Sequence, residues 1–257
     1  MTESSPTTLS ALRADTGERL TIGDVPLGVL RGLSERELLH CPACGGVLIL
    51  KAGNIRTHHF AHQRLTQCSY RDSEPETDAH RAGKLLLYQH FREGAHRAAV
   101  ELHFPATNQR ADAAVTIGEV TYVLEFQQAN NSAEAWAERH ALYASQNVID
   151  VWFLGVNRYA ESAAEPPHPI SVYHPAHLPR DVYGASAGAF RIREMERAML
   201  EVFPHLYYLD PTSGLLTLLL PRQRMNTLLR AFRYQLPLTV CRLREGRLWT
   251  PLDDLIR

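Results

Sequence analysis

Apolar residues recur at every second position in three successive stretches, near 98–104, 110–117 and 121–127. Strand side chains alternate between faces, so each stretch predicts a strand with one buried face. In Thr121–Gln127, Tyr122, Leu124 and Phe126 take the core face, while Glu125 and Gln127 share the other. The turn Gly118-Glu119 joins this strand to Ala111–Ile117, which carries Asp112. Helices are predicted on either side. One runs over about 74–93 and is ended by Gly94. The other covers about 131–146 and leads into Val148–Leu154, a nearly continuous apolar strand of the kind buried on both faces.

Toward the ends the pattern is more broken. Residues 11–30 predict short strands around a Thr16-Gly17 turn. Ser34–Leu39 predicts a small helix, with Ser34 and Glu37 at capping-box spacing. Val47–Lys51 reads as a strand. The stretch 158–181, rich in Pro, His and Ala, reads as a linker or irregular cover. Beyond it the sequence predicts a helix over Ala189–Phe203, a hairpin over Leu206–Leu220 turning at Pro211–Gly214, a helix over Arg222–Tyr234, and a strand pair turning at Glu245-Gly246. The expected class is α/β, in three parts: 1–70, 71–157 and an α+β region at 158–257.

Composition narrows the function without naming it. The chain has 257 residues, 45% hydrophobic, and a formal net charge of −1, so it is no polycation. Charge is uneven: Pro221–Arg247 holds seven arginines and one acid, +6 locally against −7 elsewhere. A basic lobe beside an acidic site suits a polyanionic substrate, and a solvated arginine-rich helix or a homodimer contact suits it as well. No secretory signal and no membrane-length apolar run is present, so a cytoplasmic protein is expected.

Three of the four cysteines, Cys41, Cys44 and Cys68, cluster among histidines, which argues for metal over disulfides. Cys41-Pro-Ala-Cys44 precedes His59-Phe-Ala-His62, and two thiolates with two imidazoles suit tetrahedral zinc. His58 and Cys68 are rival ligands. Four protein ligands leave no open position, so the expected zinc is structural; its binding contributes about 10–16 kcal/mol of apparent energy in small modules of this kind.

The acids carry the candidate chemistry. Adjacent strands can bring Asp112 and Glu125 together at one edge of the sheet. Two close carboxylates repel, and a hard divalent cation is the usual remedy, which points to metal-assisted hydrolysis. A surface hairpin with solvated acids suits these residues about equally. Glu76, His80 and Lys84 fall at i, i+4 and i+8, a stripe continued roughly by Leu87 and Phe91. Glu76 could then reach the site as a third carboxylate, and His80 could orient a ligand or a phosphate; a first-turn acid with Lys84 as a solvated partner is the alternative. Arg139 and Tyr143, at i and i+4 beside Trp136 and His140, suit phosphate binding, or a solvent pairing of Arg139 with Glu138 or Glu134.

In order, CPAC, LILKAGNIRTHHFAH, E-T-x-x-H-x-x-x-K, RADA, LEFQ and ERHALY before VWFLG resemble the competence protein CoiA-like family over about residues 11–157. The resemblance implies a zinc-binding N-terminal module joined to a restriction-endonuclease-like nuclease core of the PD-(D/E)xK type, a central mixed sheet flanked by helices. It makes Asp112 the acid of the second core motif and Glu76 the first-helix acid. Glu125 and Gln127 become the Glu-x-Lys motif with glutamine at the lysine place. Arg139 and Tyr143 stand where related nucleases carry Gln-x-x-x-Tyr. The expected activity is Mg²⁺- or Mn²⁺-dependent hydrolysis of DNA, single-stranded ahead of duplex, in uptake, recombination or defence. Asp112 and Glu125 hold the ion and Gln127 orients water, while His80, Lys84, Arg139 and Tyr143 hold phosphates. Gln127 is neutral and offers only hydrogen bonds. That departure leaves open a non-catalytic single-stranded DNA-binding or adaptor protein that keeps the nuclease fold.

Overall fold

The computed structural model describes residues 7–64, 68, 76–163, 165–169, 184–225 and 227–253. Its N-terminal part holds β1 (Thr7–Thr8), β2 (Ser10–Arg13), β3 (Arg19–Thr21), α1 (Leu27–Glu35), β4 (Leu39–His40), β5 (Leu48–Lys51) and β6 (His59–His62). Two small antiparallel sheets result, ordered β3-β2-β4 and β1-β6-β5. The turn at Thr16-Gly17 joins β2 to β3, with Gly17 in the left-handed region at φ 72. The helix expected at Ser34–Leu39 lies earlier. Leu30 and Leu33 face the core from α1, and Ser34 sits in its last turn, where its hydroxyl accepts Leu50 N at 3.0 Å instead of capping a new helix.

Next come α2 (Asp78–Phe91), β7 (Arg97–Phe104), β8 (Gln109–Ile117), β9 (Val120–Gln127), α3 (Ala133–Ser145) and β10 (Ile149–Gly155). Helix α2 starts later than the apolar stripe suggests because the Thr77 hydroxyl caps it, accepting His80 N at 3.1 Å; Glu74 and Pro75 lie outside the described residues. The rest of the chain contributes β11 (Ala160–Glu161), β12 (His168–Pro169), β13 (Gly184–Arg191), α4 (Glu194–Val202), β14 (Leu206–Asp210), β15 (Leu215–Met225), β16 (Leu228–Pro237), β17 (Arg242–Arg244) and β18 (Arg247–Trp249).

One ten-stranded sheet dominates, in the order β11-β13-β16-β15-β14-β10-β9-β8-β7, with β12 also on β13. Strand β10 runs parallel to both β9 and β14, and the other pairings are antiparallel, so the sheet is mixed. The fold is therefore mixed α/β, a large central sheet with four α-helices among the described residues. Leu85, Leu87, Tyr88 and Phe91 of α2 pack with Leu124, Phe126 and Phe153 on one face. Trp136 of α3 and Met195 and Met199 of α4 pack with Trp152 and Leu154 on the other. Among the described residues no helix is long and apolar enough to cross a membrane.

One expected helix is strand, and another starts later than expected. Residues 222–225 form the end of β15 and 228–234 most of β16. Of the helix expected over Ala189–Phe203, the first residues belong to β13 and α4 starts only at Glu194. Arginine, leucine and alanine favour helix locally, but the neighbouring strands supply ladder partners along the whole of β16, and pairing overrides propensity. Gly188 helps: a Cβ there would lie 2.9 Å from Pro167 Cα, so only glycine lets that segment cross β13 closely. Within the region read as a linker, β11 and β12 both pair with β13, and residues 170–181 lie outside the described residues.

Candidate active site and metal centre

Helix α2 and strands β7, β8 and β9 bring the expected acids into one cluster. The ladder pairs Val100↔Ala113 and Leu102↔Ala111 set Glu101 opposite Asp112, and Ala113↔Leu124 is the last β8–β9 pair before Asp112 and Glu125. Past it, Asp112 Oδ2 itself accepts Phe126 N at 2.9 Å, so a side chain takes over where the ladder stops. His80 Nε2 lies 3.1 Å from the same oxygen. Lys84 Nζ lies 3.1 Å from Asp112 Oδ1, 2.5 Å from Glu76 and 3.6 Å from Glu101. Burial pushes the Asp112 carboxyl up, but Lys84 and then His80 outweigh it and hold Asp112 well below the usual carboxylate range. Burial likewise lowers Lys84, and Asp112, Glu76 and Glu101 more than reverse it.

On the α3 side, Glu125 Oε1 accepts Arg139 Nη2 at 2.7 Å and the Tyr143 hydroxyl. Burial pushes the Glu125 carboxyl up; Arg139 opposes this and the charge of Asp112 adds to it. The charge of Asp112 thus reaches Glu125 just past the point where the β8–β9 ladder stops. Gln127 donates from Nε2 to Ala129 O at 3.0 Å.

Two of the expected phosphate contacts, Lys84 and Tyr143, lie inside the cluster. Lys84 is 2% exposed and its ammonium faces three carboxylates. Tyr143 is fully buried and positions Glu125. His80 and Arg139 keep 30% and 31% of their side chains exposed. Sequence reasoning missed Glu101. In alternation it belongs on the outer face, but its left-handed backbone, φ 54, turns it inward, where it accepts Leu9 N at 2.9 Å and the Thr8 hydroxyl.

The cysteine-histidine module forms a separate site. Cys41 N donates to Gly46 O at 2.8 Å and Gly45 N to Cys41 O at 2.9 Å, with Gly45 at φ 70, so the loop wraps both sulfurs inward. Ligand atoms of Cys41, Cys44, His62 and Cys68 all lie within 4.8 Å of one another. Cys41 and Cys68 sulfurs are 3.8 Å apart, and Cys44 Sγ is 3.3 Å from His62 Nε2. A tetrahedral zinc with Zn–S near 2.3 Å sets thiolates about 3.8 Å apart. This Cys₃His cluster could hold a metal such as zinc.

Cys68 stands where His59 was expected. Both histidines lie on strand β6, and a separation of three places them on opposite faces. His62 faces the sulfurs, while His59 Nδ1 hydrogen-bonds Thr57 O at 2.8 Å. His58, the other rival, is outside the cluster. The Cys44 thiol is pushed up by burial, but hydrogen bonds, first from Gly46 N and then from His62, bring it down to about 7.

The class comes from the chain's likeness to known proteins, and it is nuclease-like. Residues 76–167 match the family Competence protein CoiA, nuclease-like domain, and residues 28–71 match Competence protein CoiA, N-terminal domain. The two matches cover just over half of the chain, which belongs to the competence protein CoiA-like family. Among curated proteins, Competence protein CoiA of Bacillus subtilis (strain 168) is 30% identical over 130 residues, 51% of this chain. The matched region spans 35% of that relative's length. No solved structure matches the chain.

Proposed function

We propose that this protein is a Mg²⁺- or Mn²⁺-dependent nuclease that hydrolyses DNA on a restriction-endonuclease-like, PD-(D/E)xK-type core, serving DNA uptake, recombination or defence. The observation that carries the reading is the pair Asp112 and Glu125, buried on neighbouring strands where the β8–β9 ladder stops, with Glu125 pushed up by burial and by Asp112. Counting the pair itself, five carboxylates (Glu76, Asp78, Glu101, Asp112, Glu125) meet four permanent cations (Arg81, Lys84, Arg110, Arg139). One negative charge is left over, and all the donors are hard oxygens, which suits a divalent cation. Asp112 and Glu125 would hold it, with Glu76 in reserve behind Lys84. Bound there, it would polarise a phosphate and lower the pKa of a water.

The remaining work falls to side chains. Lys84 keeps Asp112 ionised and in place. Arg139 and Tyr143 fix one Glu125 oxygen and leave the second for the ion. Gln127 has its amide nitrogen tied to Ala129, so its oxygen is the atom free to accept from a water. His80 and Arg139, both part-exposed, meet the phosphates. The zinc module is structural in this reading.

Labelled single- and double-stranded DNA incubated with Mg²⁺, Mn²⁺ or EDTA tests this. Cleavage that needs metal and disappears in Asp112→Ala and in Glu125→Ala is expected; full activity in either variant sinks the site assignment. The absence of a cation at Gln127 favours one rival, a DNA-binding protein that does not cut. Binding retained in both variants with no cleavage under any metal would select that rival.

A further inference from the structure

The nuclease reading needs a surface that grips the nucleic-acid backbone, and the arginine-rich C-terminal stretch is largely spoken for. Arg224 pairs with Glu201, Arg230 with Glu165, Arg233 with Glu161 and Arg247 with Asp253. Arg222 lies over the Phe232 ring and Arg244 over the Trp249 ring, at 4.8 and 4.0 Å. Much of the positive charge that composition assigns to that region is therefore cancelled by acids from elsewhere in the fold.

The opposite holds in the N-terminal module. From Leu48 to Arg64 the chain carries Lys51, Arg56 and Arg64 and no acid. Lys51 and Arg56 are exposed, and no carboxylate pairs with either among the described residues. The Arg31 guanidinium joins them, donating to Ala52 O at 2.9 Å at the start of the β5–β6 loop. At the tip of that loop sits Ile55, 95% exposed, far beyond any other large apolar side chain described. A bulky aliphatic group presented to water among unpaired cations contributes nothing to the fold.

The loop is held beside the acid cluster. Thr57 N donates to Asp78 Oδ1 at 2.7 Å, and Asp78 is the first residue of α2, two positions after Glu76 and two before His80. At the other end, β6 runs directly into His62 of the cysteine cluster. A strand gripped by the loop would be delivered to the N-terminal end of α2, where His80 is accessible.

We propose that the β5–β6 loop, residues 52–58, is a nucleic-acid contact surface, with Lys51, Arg56 and Arg31 on phosphates and Ile55 as an apolar wedge against a base. This rests on the nuclease reading and assigns the substrate grip to the metal-binding module. Anion contacts supply most of the affinity and its salt dependence. Apolar side chains inserted between bases are an established mode of nucleic-acid recognition.

Fluorescence anisotropy of the full chain tests it, using a labelled single-stranded oligonucleotide of mixed sequence and its duplex, without divalent metal, across a salt series. Ile55→Ser is expected to weaken binding roughly five- to tenfold with the salt slope unchanged. Lys51→Gln/Arg56→Gln is expected to lower the slope of log K against log salt by about one to two. Each variant should keep the wild-type melting temperature and zinc content, since the altered side chains are exposed. Wild-type affinity and slope in both variants, with the wild type binding and cutting DNA, overturns the loop assignment and leaves the nuclease reading standing. No binding and no cleavage by the wild type overturns the nuclease reading itself. A weakened Lys51/Arg56 variant beside an unaffected Ile55→Ser overturns the wedge.

Discussion

Gly83 lies in the middle of α2, one residue before Lys84, against the ring of Phe126. A Cβ at Gly83 would fall 2.2 to 2.6 Å from three carbons of that ring. Phe126 is 1% exposed, and its backbone N–H is the one that Asp112 accepts, so the ring has no room to retreat. Two effects of Gly83→Ala therefore compete. Alanine gains about 1 kcal/mol over glycine in a helix interior. Overpacking a filled core costs about 1–3 kcal/mol, and an overlap this deep belongs at the upper end. The net expectation is a loss of about 1–2 kcal/mol, which lowers the melting temperature by about 2–8 °C. Urea denaturation should show a lower midpoint at an unchanged slope. Because α2 carries His80 and Lys84, both 3.1 Å from Asp112, its displacement should also reduce metal-dependent cleavage. Adding Phe126→Leu should recover part of both losses, a coupling expected only of residues in contact. An unchanged or raised urea midpoint in Gly83→Ala would refute the reasoning, since helix propensity would then have outweighed the clash.

Lys84→Met should destabilise the fold by about 3–5 kcal/mol, because it leaves the buried carboxylates of Glu101 and Asp112, and the part-buried one of Glu76, without their shared cation; an equilibrium loss below about 1 kcal/mol, the worth of a surface pair, would place Lys84 in water instead. Cys68→Ser should lower the bound zinc per chain measured by elemental analysis, whereas His59→Ala should keep it; the reverse result would restore His59 as a ligand. His140 Nδ1 hydrogen-bonds Asp150 at 2.8 Å, and that bond, outweighing burial, holds the imidazole above its ordinary pKa. Its stabilisation is complete below the unfolded pKa near 6.5 and is lost as pH rises through the higher folded value. The melting-temperature gap between wild type and His140→Gln should therefore be wider at pH 6 than at pH 8, and an equal gap would remove the charge from the argument.

The sheet's first half was legible because its sequence alternates: Ala111, Ala113 and Val115 in β8 and Tyr122, Leu124 and Phe126 in β9 recur at every second position, and β10 shows the unbroken apolar run of a strand covered on both faces. β13 and β16 were not legible. Their alanine, leucine and arginine content favours helix, and only strands distant in sequence supply the pairing that decides otherwise. β16 also buries Leu229 and Ala231 toward α4 but Tyr234 and Leu236 toward the opposite core, which blurs its period. In the site, Glu76, His80 and Asp112 could be read from spacing. Glu101 could not, since one left-handed residue reverses its face. The exchange of His59 for Cys68 was readable in principle: once His59–His62 is taken as a strand, an odd spacing rules out both histidines on one ion.

Strand β10 has a practical consequence for anyone cutting this chain into pieces. The nuclease-like match stops at residue 167, yet β10 is flanked by β14, paired through Phe153↔Tyr207, Leu154↔Tyr208 and Gly155↔Leu209. A fragment ending there would strip a neighbour from the interior of the sheet and turn Val-Trp-Phe-Leu-Gly into a bare apolar edge. Such edges recruit other chains, so the fragment should precipitate on expression while the full chain stays dispersed. The residues beyond 167 are, in this sense, the chaperone that the nuclease-like half carries with it.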